Sequence, residues 1–396
     1  MDVPLVPHIF DRKDIKASVD RLLPFLFPHR SRDCEEIEVD LLTQGTTNWL
    51  YKVTRQGPRA TPVDSQVFTE TALVKVYGDG TDITIDRKKE LAFHKVLSDH
   101  DLAPLLLVHF PNGHGYEFTK GKVCSLEDIT QETVWRGVSK ELARWHAILP
   151  VADLDYDGGS QTVLNHAPNV WSTAKKWLES IAKGTEYENS QKQLLNNDFD
   201  YLVNRLLSKR GSQHHQVFGH GDLLCGNIIL LDSAEEGTTD RNVKFIDYEH
   251  STYCPRAFEL ANHFAEWAGF DCDYSLLPTR STRREFIREY LRTYEETANR
   301  CKKVDASSQA DQIRSIDDEL SNLMDEVDNY RGFPGFYWGL CALIQAQATT
   351  GSIDFDYAGY AMKRFAEFRA WREEDDGSRH EANRDITLRE KRWASD

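Results

Sequence analysis

Between Ile37 and Val76, apolar and polar residues alternate with the two-residue period of half-buried strands, in three runs: IEVDLL, TTNWLYKV and SQVFTETALVKVYG. Gly and Pro cluster between the runs, so the pattern predicts a short-stranded antiparallel sheet. The period then changes. In DRKKELAFHKVLSDH, Phe93, Val96 and Leu97 recur at helical spacing behind the acidic start at Asp86, which predicts one helix packed on that sheet. PLLLVHF, a Pro-Asn-Gly turn at 111–113 and GYEFTKG read as a closing hairpin. From about Ser125 the periodicity is helical, as in ETVWRGVSKELARWHAIL and TRREFIREYLRTYEETANR. The expected fold class is α+β, with two lobes: an N-terminal antiparallel β-sheet lobe over residues 1–121 and a larger, mainly α-helical C-terminal lobe over 122–371. Residues 372–396 are dense in charge and poor in apolar side chains, which predicts a flexible tail. Residues 233–242 and 302–320, the latter Ser/Asp-rich around 305–315, read as insertions or mobile loops.

Composition excludes several classes. With 40% hydrophobic residues, 9 Trp, 15 Tyr and 19 Phe in 396 residues, the chain has ample apolar surface to bury, so disorder is excluded. The net charge of −16 argues against nucleic acid as a partner, because phosphate backbones select basic surfaces. The 7 cysteines are scattered, odd in number and without a CxxC pair, and no apolar leader stands at the N-terminus. Reduced thiols and a cytoplasmic location are the expectation. No uncharged apolar run approaches the roughly 20 residues of a membrane span, so stable membrane insertion is not expected.

The chemistry-bearing stretch is VFGHGDLLCGNIIL at 217–230, followed by VKFIDYEH at 243–250. Two apolar β-like runs flank a polar loop. Phosphoryl transfer needs a carboxylate that orients and deprotonates the attacking hydroxyl, and an Asn and a second Asp that hold magnesium on the phosphates. Asp222, Asn227 and Asp247 supply that set in the order and spacing of a kinase catalytic loop. A lone D-x-x-x-x-N is usually a capped turn, but here the preceding His-Gly, the flanking strands and the downstream Ile-Asp complete the pattern. His220 reads as a structural hydrogen-bonding residue of the loop. Lys75, in LVKVYG, is the candidate cation for ATP phosphates, with Glu90 on the next helix as its partner. Kinase-type G-x-G-x-x-G is absent, and Gly45, Thr46, Thr47 and Asn48 in QGTTNWLYKV are the candidate phosphate-loop donors.

These residues resemble the choline/ethanolamine kinase family, relatives of the aminoglycoside phosphotransferases that share the protein-kinase-like fold. The resemblance runs through QGTTNWLYKV, LVKVYG, DRKKE, YEFTKG, LARWHAI, HGDLLCGNIIL, FYWGLCALIQAQ and IDFDYAGYAMKRF. Its most specific block is FIDYEHSTYCPRAFELANHFAEWAG. It implies an ATP- and Mg²⁺-dependent enzyme, monomeric or homodimeric, acting on a small cationic amino alcohol. By the same resemblance Asp222 is the catalytic Asp and Asp247 and Asn227 are metal ligands. Lys75 takes the place of a nucleotide-binding basic residue that is often Arg. Glu117 to Gly121, with Phe118, matches the interlobe hinge that meets adenine. Glu249 and Glu266 fall where the family keeps acids near a second metal and the amine. Trp267, Trp338, Tyr357 and Tyr360 are candidate aromatic walls, with ordinary core packing as the alternative.

The aromatic box that a quaternary ammonium needs looks incomplete, since Cys341 stands where the family often has a second Trp after Trp338. A primary ammonium keeps its N–H donors and can be held by carboxylates. Together with AGFDCDYSLLPTR, this favours ethanolamine, whose product feeds phosphatidylethanolamine synthesis. Choline kinase, an aminoglycoside-type phosphotransferase and a silent pseudokinase stay open as alternatives. Gly221 replaces a frequent Asn and Glu259 a usual Asp.

Overall fold

The computed structural model describes residues 3–28, 36–42, 48–58, 67–78, 80–149, 169–182, 184–207, 215–234, 239–302, 309–348 and 355–396. The chain divides into two compact units: Met1–Asp82 with Leu91–Lys120 and Thr349–Phe355, and Ile83–Glu90 with Gly121–Ala348 and Asp356–Asp396. Strands make the first unit and helices dominate the second.

In the first unit, helix α1 (Ile15–Leu26) precedes strands β1 (Glu36–Leu42), β2 (Asn48–Pro58) and β3 (Val67–Tyr77). Helix α2 (Arg87–Asp99) and the hairpin β4 (Leu106–Phe110) and β5 (Gly113–Glu117) follow. The five strands form one antiparallel sheet in the order β1-β2-β3-β5-β4. The alternation expected from the sequence is realised. On one face, Tyr51, Val53, Val74, Val76, Val108 and Phe110 receive Val19, Leu22, Leu23 and Leu26, the apolar stripe of α1. On the other face, Leu73, Leu106 and Tyr116 pack with Leu50, Leu91 and Phe118. The hairpin turn is tighter than the Pro-Asn-Gly turn expected at 111–113, since Gly113 opens β5 and pairs directly with Phe110 across Pro111 and Asn112.

The second unit begins with β6 (Lys122–Val123), helices α3 (Leu126–Ile129), α4 (Glu132–Ile148), α5 (Val170–Ser180) and α6 (Glu186–Leu207), and strands β7 (Gln216–Gly219), β8 (Ile228–Ala234), β9 (Arg241–Phe245) and β10 (Thr252–Pro255). Helices α7 (Arg256–Glu266), α8 (Arg280–Lys302), α9 (Gln309–Tyr330), α10 (Phe333–Ala348) and α11 (Tyr357–Asp375) complete its core. Two small antiparallel sheets, β10-β7 and β6-β8-β9, bracket the polar loop. Helix α7 is buried at every residue because its neighbours α9, α10, β7 and β10 surround it. Among the described residues no helix is long and apolar enough to cross a membrane.

Two expectations from the sequence are corrected. Of the stretch 302–320, residues from Gln309 onward belong to α9, where Leu320, Leu323 and Val327 recur at helical spacing and are buried. Residues 372–396 are not a flexible tail: they finish α11 and form α12 (Ser378–Glu381) and α13 (Leu388–Ala394). Two interactions invisible to a composition argument hold them. Trp393 is buried beneath the Arg283 guanidinium, 4.0 Å from its ring centroid, and its Nε1 donates to Asp328 Oδ1 at 2.7 Å. Replacing this residue, Trp393→Ala, is expected to cost about 3–5 kcal/mol, read as a lower urea midpoint at unchanged slope. A midpoint equal to that of the parent would restore the flexible-tail reading.

Candidate active site

The chemistry predicted from the sequence depends on the loop from His220 to Asn227, between β7 and β8. Gly221 has φ of 79°, and a Cβ there would lie 2.3 Å from the His250 carbonyl oxygen. Glycine is what lets the chain turn into the loop at this close approach. The His220 and Gly221 N–H groups both donate to the buried Glu259 carboxylate, at 2.9 and 3.2 Å from Oε1. Burial, against those two donors, pushes Glu259 up to about 7. Glu259, which stands where an Asp is usual, thus anchors the start of the loop.

Three ring and amide side chains hold the rest of the loop. His220 is fully buried, and burial pushes its pKa down to about 3. The neutral ring donates from Nε2 to the Ile246 carbonyl at 3.0 Å and accepts the Asp222 N–H at Nδ1 at 3.4 Å, the structural role read from the sequence. His263, which burial pushes down to about 4, donates from Nδ1 to the Leu223 carbonyl at 2.9 Å and accepts the Trp267 indole N–H at 3.2 Å. Asn262 Nδ2 donates to the Gly221 carbonyl, and its Oδ1 accepts the Trp338 indole N–H at 2.8 Å. Asn262 and His263 were not singled out in the sequence, although both lie in its most specific block.

Asp222, Asn227 and Asp247 converge. Asn227 Nδ2 donates to the Asp222 carbonyl at 2.8 Å and to Asp222 Oδ2 at 3.3 Å, which leaves Oδ1 as the acceptor end of its amide. Asp247 follows β9 with φ of 67°, a left-handed conformation rare for residues other than Gly and tolerated best by Asn and Asp. Carboxylate oxygens of Glu90, Asp247 and Glu249 lie within 4.8 Å of one another. Hard oxygen donors so placed fit a small divalent cation such as magnesium. Burial, then the charges of Glu266, Asp247 and Glu249, hold the Asp222 carboxyl well above its ordinary range. These carboxylates, offset in part by Arg87 and Arg364, form a site that favours added cations.

Glu90, expected beside Lys75, pairs with Arg87 at 2.9 Å, and Arg87 also reaches Glu249 at 3.1 Å. The segment carrying both is tethered at Thr84, whose carbonyl accepts from Trp177 Nε1 and whose Oγ1 accepts from Gln345 Nε2. Glu266 pairs with the buried Arg364 at 3.1 Å. Tyr360 lies beside that guanidinium, with its ring 5.8 Å from it, and edge-on to Phe270. Tyr357 is buried at the start of α11. Trp338 meets His250 edge-on at 5.1 Å, and Cys341 lies close enough that the charges of Asp222 and Glu249 add to burial in raising its thiol. Arg364 and Arg87 were also missed by motif reading; Arg87 sits inside the quoted DRKKE, where only the acid was taken up.

In the first unit, Lys75 is buried in β3 opposite His114 and Leu50, and burial, with the Lys75 charge adding to it, pushes His94 down to about 4. Asn48 opens β2 opposite Tyr77. Glu117 Oε2 accepts the Leu105 N–H at 3.3 Å, and Phe118 carries Lys52 Nζ over its ring at 5.5 Å. Gly45, Thr46 and Thr47 lie outside the described residues.

A family model described as choline/ethanolamine kinase matches residues 39–369. Ethanolamine kinase 1 of Mus musculus is 32% identical over 88% of this chain and 86% of its own. The probable ethanolamine kinase A of Dictyostelium discoideum is 29% identical over 88% of this chain and 90% of its own. Among solved structures, an ethanolamine kinase of Plasmodium vivax superposes with TM-score 0.67 at 24% identity, covering 91% of each chain. A choline kinase of Cryptosporidium parvum superposes at 0.59 with 20% identity, covering 86% of this chain and 91% of its own. Both share the protein-kinase-like fold seen here.

Proposed function

The chain belongs to the choline/ethanolamine kinase family, and from that premise we propose that it transfers the γ-phosphoryl group of ATP to the hydroxyl of ethanolamine, giving phosphoethanolamine and ADP. The observation that carries the reading is the gathering of Asp247, Glu249 and Glu266 around the buried Asp222, where their charges add to burial in holding its carboxyl above the ordinary range. A kinase of a cationic alcohol brings two kinds of cation to such a place. Asp247 and Asn227, with Glu249 and Glu90 beside them, would hold magnesium, which would neutralise negative charge on the phosphates as the bond between the γ-phosphorus and the bridging oxygen breaks. Asp222 orients the alcohol and takes its proton. Its own position is fixed by the Asn227 amide and by the loop bonds to Glu259, His220 and Asn262. Lys75 supplies a cation for the nucleotide phosphates.

Ethanolamine is preferred over choline on the chemistry of the amine end. A quaternary ammonium depends on open aromatic faces, whereas a primary one donates hydrogen bonds to carboxylates. Trp267 and Trp338 are buried with their indole N–H groups committed inside the unit, and Cys341 offers no ring. Glu249 and Glu266 remain as ammonium partners. In a coupled ADP-release assay, kcat/KM for ethanolamine is expected to exceed that for choline by about tenfold or more, with an aminoglycoside inert. A higher value for choline would overturn the amine assignment, and no turnover with any of the three would overturn the kinase reading.

A further inference from the structure

Glu266, the candidate ammonium carboxylate, ends α7 facing a fully buried guanidinium. Arg364 of α11 lies with Nη2 at 3.1 Å from Glu266 Oε1 and Nε at 3.4 Å from Glu367 Oε2. The row of alternating charge continues outward. Arg389 of α13 stands 4.0 Å from Glu367 and pairs with Glu390 at 2.6 Å, and Arg331 pairs with Glu390 at 2.8 Å. Arg364, Glu367, Arg389 and Glu390 are all buried. We propose that Arg364 is the positioning residue of the ammonium subsite: it fixes the Glu266 carboxylate through Oε1 so that the second oxygen is left for the substrate's amine. The inference rests on the ethanolamine kinase reading of Glu266.

Three physical points support it. A carboxylate buried beside others keeps its charge only with a counter-charge held against it, and the buried Arg364 guanidinium is placed to supply one. Arg364 makes ion pairs without a directed hydrogen bond from Nε, Nη1 or Nη2, and Glu266 Oε1 has no hydrogen-bond partner either, so the guanidinium restrains Glu266 by charge. Tyr360 lies beside the same guanidinium, so an aromatic side chain expected to wall the amine also serves to seat Arg364. Removing the guanidinium leaves Glu266 and Glu367 buried together without it, and they settle by sharing a proton or moving apart. Either response takes the charge or the aim from Glu266.

The test is steady-state kinetics of wild type, Arg364→Gln and Arg364→Lys, varying ethanolamine and ATP separately. Arg364→Gln is expected to raise KM for ethanolamine about tenfold or more while KM for ATP stays within about twofold, and Arg364→Lys is expected to recover most of the loss. A merely structural role would lower kcat and shift both KM values together, and would not be rescued by lysine; that result, or an unchanged KM for ethanolamine, overturns the inference. Should Arg364→Gln fail to fold, Arg389→Gln on the next link of the chain carries the test, with a rise of about two- to threefold confined to ethanolamine and no rise overturning it. Wild type that turns over choline but not ethanolamine would instead overturn the functional reading on which the inference stands.

Discussion

Asp222→Asn is expected to lower kcat by about a thousandfold or more while ATP affinity, measured by calorimetry, stays within about threefold. The substitution is nearly isosteric and keeps the features that place the residue. The Asn227 amide bonds the backbone carbonyl of residue 222 at 2.8 Å, which no side-chain change removes, and the His220 ring accepts the N–H of the same residue. What is lost is the group that accepts the hydroxyl proton. The neighbouring acids add a second consequence. Asp222 is raised by burial first and then by Glu266, Asp247 and Glu249, so removing its charge relieves repulsion in the protein without ligands. The variant should therefore bind nucleotide and melt no lower than wild type, which separates lost chemistry from lost fold. An Asp222→Asn protein with normal kcat would refute the assignment.

The loop and the sheet were legible in the sequence for different reasons. Strands β1 and β4 announce themselves because alternate residues are the more deeply buried ones, so the two-residue period survives in the amino acids, whereas β3 and β5 are buried on both faces. Asp222, Asn227 and Asp247 were legible because phosphoryl transfer constrains both residue type and spacing over a short stretch. Helix α1 escapes such reading although Val19, Leu22, Leu23 and Leu26 lie on one stripe, because Pro24 within it signals a break. The tail escapes because its anchors are single side chains: Trp393 under Arg283, and Arg389 buried next to Glu390. Composition averages over a window and cannot register one buried ion pair. The same holds for Arg364, an ordinary helical arginine in sequence whose role exists only because α7 brings Glu266 across to it.

The aromatic residues had two readings in the sequence, substrate wall and core packing. Trp267, Trp338, Tyr357 and Tyr360 were singled out as walls because cations favour rings, yet packing claims rings first. Each of the four is buried, and the two indole N–H groups have partners within the unit, on His263 and Asn262. Through Asn262, Trp338 is tied to the Gly221 carbonyl, so it bears on the catalytic loop whatever it does for substrate.

Asp247 carries the second large effect. Asp247→Asn is expected to reduce kcat by about a hundredfold or more at any magnesium concentration and to raise the concentration needed for half activity. Asn is the informative choice over Ala because residue 247 has φ of 67°: Asn tolerates the left-handed region, so the backbone keeps its course while the carboxylate charge goes. With Ala, strain and lost ligation would be confounded. The cluster predicts an accompanying gain. In the protein without ligands the carboxylates of Glu90, Asp247 and Glu249 crowd within 4.8 Å, relieved by Arg87, and one fewer negative charge should raise the melting temperature in the presence of a chelator. Added magnesium should then stabilise wild type more than the variant, because a cation that binds the folded state alone stabilises in proportion to its affinity there. An Asp247→Asn enzyme with wild-type kcat in magnesium would remove Asp247 from the metal site, and equal magnesium-dependent shifts in melting temperature would do so independently of any activity measurement.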